Sequence, residues 1–238
     1  MNNIIFLDTE TTGNTEKDFL CQIAYKTDKE NFSGLYKPPI IIPPEASAVH
    51  HITNKAVENK PAFSESADFE KIKKLFEDKN SILVAHNALF DIMIIGKESI
   101  IPNKFICTLR LARHLDPEEK IERYNLQYLR YLLDIEIDFP AHDAMGDVLV
   151  LEKLYERLKK KLIERELIDK KEVVDRMIEI SSHPSIFKSF KFGKYIGKKI
   201  EEILKSDRGY LEWLLNQKLE SGQPDEDWIY TLKYYLKK

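Results

Sequence analysis

A chain of 238 residues is long enough for one sizeable domain, or for a main domain with a small companion. An apolar fraction of 43% against 32% charged residues is that of an ordinary globular protein and excludes a collagenous or disordered chain. A net charge of −3 excludes a polybasic protein, so any nucleic-acid site has to be local. The two cysteines, Cys21 and Cys107, lie far apart in apolar runs and read as buried hydrophobes in a reducing cytosol, not as a disulfide or a zinc site. There is no charged-then-apolar leader and no run of about 18 apolar residues, so a cytoplasmic protein without a membrane partner is expected.

The run Ile4 to Leu7 predicts a buried strand, continued by Asp8-Thr9-Glu10-Thr11-Thr12-Gly13. Phe19 to Tyr25 and Asn31 to Tyr36 predict two more strands, and the charged turn Thr27 to Glu30 between them makes a hairpin, so the sheet begins antiparallel. Pro38, Pro39, Pro43 and Pro44 predict an irregular extended segment. Ala48 to Thr53 then leads into a short helix capped by Thr53 or Asn54, and Phe63 to Phe76 carries helical spacing. Ser81 to Ala85 and Phe105 to Thr108 predict short strands, each followed by a helix, the first opening at His86-Asn87 and stopping near Gly96. Tyr124 to Leu133 and Ala141 to Lys161 are helical. Strands first and strand–helix alternation afterwards define an α/β class with a mixed five-stranded sheet flanked by helices.

Three segments are expected: a main domain over 1–165, a charged helical connector over 166–182 broken by Ser181 to Pro184, and a small hairpin-and-helix module over 183–238. The module holds 11 Lys and Arg against 8 Asp and Glu, which leaves 26 against 32 for the remainder. Between Phe187 and Lys199 five lysines alternate with four aromatics and no acid, with Gly193 and Gly197 as turn residues. Lysines interleaved with aromatics suit phosphate contacts and base stacking, although the same aromatics also read as the core of a small domain with solvated lysines.

Asp8 and Glu10 stand two apart, so on a strand both carboxylates point to one face. Two like charges at the end of a buried strand are costly unless a cation compensates them, and Mg²⁺ or Mn²⁺ suits carboxylate oxygens. Taken alone the pair also reads as a fraying strand end, Asp91 as a carboxylate favoured by a helix dipole, and His142 and Asp147 as polar bystanders. Together, four carboxylates and a histidine in this order are what two-metal phosphodiester hydrolysis requires, with two ions about 4 Å apart and His142 as the base that takes the water's proton.

The motifs Asp-Thr-Glu-Thr-Thr-Gly at Asp8, His-Asn-Ala-Leu-Phe-Asp ending at Asp91, and His142 with Asp147 resemble the DEDD superfamily of 3′–5′ exonucleases, histidine subclass (DEDDh, DnaQ-like). The tyrosine subclass would carry Tyr where Asp143 stands. That resemblance implies an RNase H-like fold, catalysis by Asp8, Glu10, Asp91, His142 and Asp147, and Mg²⁺ held by the four carboxylates as a pair of ions, with Mn²⁺ substituting. Val49-His50-His51-Ile52-Thr53 resembles the family's Val-His-Gly-Ile-Thr stretch, with His51 where glycine is usual, and marks His50 as a contact to the terminal nucleotide. The segment Phe105 to Arg113 and the tail Phe192-Gly193-Lys194-Tyr195 with Gly197-Lys198 and Gly209 to Leu214 resemble the bacterial exodeoxyribonuclease X group, which implies DNA, single-stranded or duplex, as substrate and repair as the setting.

Thr9, Thr11, Thr12 and Gly13 adjoin the acidic pair and Asn87 and Phe90 adjoin Asp91; with His50, Lys194 and Lys198 they are candidate substrate contacts. Phe90 also reads as core. Two other functions fit the same residues: an exoribonuclease on the same fold, since the metal site does not read the sugar, and a catalytically silent nucleic-acid-binding adaptor. The filling of all five catalytic positions argues against the adaptor.

Overall fold

A computed structural model describes residues 3–137, 144–220 and 225–237. The apolar run at the start of the chain forms β1 (Asn3–Thr11), which pairs antiparallel with β2 (Leu20–Lys26), the register shifting between Glu10 and Thr11. β3 (Asn31–Leu35) continues the antiparallel order; the turn before it is closed by Thr27, whose hydroxyl accepts from the Lys29 and Glu30 amides at 3.1 Å. On the other side of β1, β4 (Ser81–Ala85) and β5 (Phe105–Cys107) add in parallel, giving a mixed five-stranded sheet of order β3-β2-β1-β4-β5.

The proline segment differs from the expectation: α1 (Pro44–His50) begins inside it. Pro43 caps it in an extended conformation, φ −67 and ψ 153, and Pro44 occupies the first turn, where the missing N–H removes no helical bond. α2 (Asn54–Val57) is capped as expected by Thr53, whose hydroxyl accepts from the Ala56 amide at 3.2 Å. A 3₁₀ turn, Phe63–Glu65, precedes α3 (Phe69–Phe76); α4 (Ala88–Lys97), α5 (Thr108–His114), α6 (Leu126–Leu132) and α7 (Ala144–Glu166) follow.

The two faces of β1 have different partners because alternate residues point apart. Ile5 and Leu7 enter a fully buried cluster with Ile72, Phe76, Ile94 and Ile95 from α3 and α4. Phe6, on the opposite face, meets Tyr155 of α7 edge-on at 5.4 Å. The buried stripe Leu151, Leu154, Leu158 and Leu162 seats α7, and Lys26 of β2 pairs with Glu152 at 2.6 Å.

The charged helical connector expected over 166–182 is not one helix continuous with its neighbour: α7 ends at Glu166, and after Leu167 at φ 54 a separate α8 (Val173–Ser182) forms. Val173, Met177 and Ile180 recur at helical spacing, and that apolar stripe buries α8 against β5 despite its charged outer face. The Cys107 amide donates to Ser181 Oγ at 2.8 Å and Arg110 donates to the Ser181 carbonyl at 2.7 Å. Two compact units result: Met1–Ala112 with Arg123–Ser182, and Arg113–Glu122 with His183–Lys238.

In the second unit residues 188–200 fold back on themselves: the Phe190 amide donates to the Lys198 carbonyl at 2.9 Å and the Ile200 amide to the Lys188 carbonyl at 2.8 Å. Gly193 and Gly197 take positive φ, +70 and +78, which the turn requires. α9 (Ile200–Ser206), α10 (Arg208–Glu220) and α11 (Glu226–Leu236) close around Phe190, Leu211, Leu214, Trp228, Leu232 and Tyr235. The excursion 113–122 completes this unit: Arg113 pairs with Asp227, and the Glu119 carboxylate accepts from the Lys188 amide at 2.7 Å and from the Ser189 hydroxyl. Among the described residues no helix is long and apolar enough to cross a membrane.

Candidate metal centre

The strand period puts Asp8 and Glu10 on the Phe6 face of β1, both half-buried. Asp147 lies on the α7 stripe that includes Leu151, Leu154 and Leu158. Tyr155 is two turns beyond Asp147, about 12 Å of helix, and Glu10 is about 13 Å of strand beyond Phe6. With Phe6 and Tyr155 in contact, the first turn of α7 therefore reaches the acidic end of β1. Asp8, Glu10 and Asp147 each offer a carboxylate oxygen, all within 4.8 Å of one another. Three anionic hard-oxygen donors at that separation repel one another and fit a divalent cation such as Mg²⁺, Mn²⁺ or Ca²⁺. Gln127 of α6 donates its side-chain amide to Asp147 Oδ1.

Asp91 is not part of that cluster. It sits in the first turn of α4, 4% exposed, and accepts from the Thr9 hydroxyl at 2.7 Å. Thr9 points to the opposite face of β1 from Asp8 and Glu10, toward α4. Burial pushes the Asp91 carboxyl up to about 7, and the Thr9 hydrogen bond pulls it partly back. His142 lies outside the described residues.

The segment after β1 is shaped by Asp18. Its carboxylate accepts from the Thr12 hydroxyl at 2.8 Å and from the Thr15 amide and hydroxyl at 2.8 and 2.7 Å. Burial alone would raise the Asp18 carboxyl, but these Thr15 and Thr12 bonds outweigh it and hold it below the usual range. A Cβ on Gly13 would come within 2.7 Å of that carboxylate, so a side chain there would displace Asp18 from its Thr12 and Thr15 bonds. Thr11 donates its hydroxyl to the Gly13 carbonyl. The hydroxyls of Thr9, Thr11 and Thr12 are thus all committed within the protein, and nothing in the sequence marked Asp18 or Gln127.

His50 is 6% exposed and bonded at both ring nitrogens: Nε2 lies 3.1 Å from the Thr11 carbonyl and Nδ1 accepts from the Ile52 amide at 3.0 Å. With Nδ1 accepting, Nε2 is the donor and the ring is neutral; burial lowers its pKa below the ordinary value, the Thr11 bond opposing. His51 ends α1 in the left-handed conformation, φ 61 and ψ 9, with its amide bonded to the Ser47 carbonyl. That is the conformation for which a helix C-terminus prefers glycine, and here histidine adopts it.

Asn87 precedes α4, exposed and left-handed at φ 64, and Phe90 is half-buried against the cluster beneath β1. Lys194 and Lys198 are exposed in the second unit, Lys194 paired with Asp207 at 3.1 Å.

Residues 5–155 match the exonuclease family, and residues 190–218 match the exodeoxyribonuclease X-like C-terminal family. The chain belongs to the exonuclease family, of DnaQ-like type. Among its relatives, it is 32% identical over 209 residues to Exodeoxyribonuclease 10 of Escherichia coli, an alignment that spans 86% of this chain and 84% of that one. It is 33% identical over 161 residues to DNA polymerase III subunit epsilon of Treponema pallidum, covering 62% of this chain and 72% of the relative. The solved structure of Exonuclease X in complex with 5′ overhanging duplex DNA superposes with a TM-score of 0.57 at 27% identity, over 76% of this chain and 99% of that one.

Proposed function

We propose that this chain is a Mg²⁺-dependent 3′–5′ exonuclease that hydrolyses DNA from its 3′ ends. The observation that carries the reading is the convergence of Asp8, Glu10 and Asp147 within 4.8 Å, inside a domain of the exonuclease family. A relative named exodeoxyribonuclease, a relative named as a subunit of DNA polymerase III, and a structural neighbour solved with 5′ overhanging duplex DNA support DNA as substrate; a cytoplasmic DNA-repair setting completes the reading.

In this reading Asp8, Glu10, Asp91 and Asp147 hold a pair of Mg²⁺ ions, with Mn²⁺ able to substitute. Bound there, such ions supply an activated water and offset charge on the departing 3′-oxygen. Thr9 anchors Asp91 and Gln127 anchors Asp147, each by a hydrogen bond to a carboxylate oxygen. His142 takes the proton of the attacking water. The terminal nucleotide lies against the backbone of Thr11, Thr12 and Gly13 and against Asn87 and Phe90. His50 acts on that contact through the Thr11 carbonyl, and in the second unit Lys194 and Lys198 contact DNA phosphates.

The test uses 5′-labelled single-stranded, blunt and 3′-recessed DNA and a matching RNA, with Mg²⁺, with EDTA and with His142→Ala protein. A Mg²⁺-dependent ladder shortening from the 3′ end of DNA, at least about a hundredfold weaker in the variant, is expected. Faster shortening of RNA would make the chain an exoribonuclease, and binding with no shortening of any substrate would make it an adaptor.

A further inference from the structure

The second unit buries only part of its aromatic content. Of the two tryptophans in the chain, Trp228 is 6% exposed in the core, while Trp213 is 53% exposed on α10. The inward positions of α10 are filled by Leu211 and Leu214, so packing gives no reason for a tryptophan between them. Trp213 does not stand alone. Its ring lies 5.5 Å from that of Tyr210, which meets Tyr195 edge-on at 4.8 Å. The Lys194 ammonium is 4.7 Å from the Tyr195 ring and 5.8 Å from the Tyr210 ring. Gly193, at φ +70, brings the turn so close that a Cβ there would be 3.1 Å from the Tyr210 hydroxyl. The result is a contiguous row of rings with an ammonium group at one end.

We propose that the Trp213–Tyr210 face of α10, with Lys194 beside it, is a platform for the unpaired bases of a single-stranded nucleic acid. An exposed ring surface takes bases of any identity by stacking, and a cation at its edge takes the adjoining phosphate. Charge complementarity favours this occupant: residues 187–199 carry five lysines and no acid. Lys194 is shared with Asp207, and an ammonium with three donors can serve a carboxylate and a phosphate together. For its ligand class the inference rests on the DNA reading above, but it does not involve the acidic cluster.

The experiment uses the full chain in EDTA, where cleavage is stopped, titrated with a 5′-labelled oligothymidylate. Binding quenches tryptophan emission, and Trp213→Phe, which leaves Trp228, removes the quench. Trp213→Ala weakens binding by about tenfold or more, measured by anisotropy of the label. Lys194→Gln reduces the slope of log affinity against log salt by about 0.7. Binding with emission and affinity unchanged in the Trp213 variants would overturn the proposal. So would a concentration-dependent dimer lost in Trp213→Ala, which would make the face a contact between two copies. A chain that shortens DNA in Mg²⁺ without the quench refutes this platform alone; one that shows the quench but cleaves nothing refutes the exonuclease reading alone.

Discussion

The Thr9 hydroxyl donates to Asp91 Oδ1 at 2.7 Å, linking the residue between two acidic side chains of β1 to a carboxylate 82 positions away on α4. Asp91 is 4% exposed and carries its charge at a cost that this bond partly offsets. Removing one partner of a buried bond leaves the other unsatisfied, at about 1–3 kcal/mol. Thr9→Val is therefore expected to lower cleavage by about tenfold and to raise the Mg²⁺ concentration for half-maximal activity. Thr9→Ser, which keeps the hydroxyl, should restore both. Equal loss in the serine variant would show that the methyl group, not the bond, is what matters.

Asp8 stands within 4.8 Å of two other carboxylates. Asp8→Ala should abolish 3′-end cleavage and at the same time raise the melting temperature in EDTA, because one of three mutually repelling charges is gone. Added Mg²⁺ should stabilise the parent protein more than the variant. Scanning calorimetry with and without the ion checks both signs, and an equal response of the two proteins counts against Asp8 as a ligand.

His50 makes stability depend on pH. Its folded-state pKa lies below the ordinary value, mainly through burial. The unfolded chain therefore binds the proton more readily, and the contribution of His50 is complete above the unfolded value of about 6.5 and lost as pH falls through the folded one. The melting temperature of the parent should drop more between pH 7 and pH 5 than that of His50→Gln. Parallel curves would mean that His50 binds its proton equally well in the folded and the unfolded chain, so that losing the Ile52 amide bond at Nδ1 costs no stability.

His51 holds φ 61 at the end of α1. A non-glycine residue there costs about 1 kcal/mol relative to glycine, although histidine tolerates this region better than most. His51→Gly should raise the melting temperature by about 2–4 °C. A decrease would assign the His51 side chain a contact worth more than the backbone strain.

Glu119 serves the second unit, accepting from the Lys188 amide and the Ser189 hydroxyl, while its own carbonyl accepts from Lys191 Nζ at 3.2 Å. Glu119→Ala should speed hydrogen exchange at the Lys188 amide by about tenfold, a local loss of about 1–1.5 kcal/mol. Unchanged exchange would show that the Glu119 carboxylate does not protect the Lys188 amide.

Local periodicity was enough to place several features. The two-residue period of a strand put Asp8 and Glu10 on one face, and the Leu151–Leu154–Leu158 stripe oriented α7, because side-chain direction along a regular element follows from backbone geometry alone. Thr53 as a cap and Gly193 and Gly197 as turn residues followed from equally local preferences. The start of α1 at Pro44 and the break at Leu167 did not, since Pro suits either the first turn of a helix or an extended segment, and burial of Val173, Met177 and Ile180 decided where α8 lay. Partner choice is a different kind of information. That Asp147 meets Asp8 and Glu10, that Thr9 turns away from them to Asp91, that His50 is sealed between Thr11 and Ile52, and that Trp213 is left exposed while Trp228 is buried were all set by tertiary packing. Each depends on which elements dock against which, and residues separated by tens of positions carry no periodicity that encodes it.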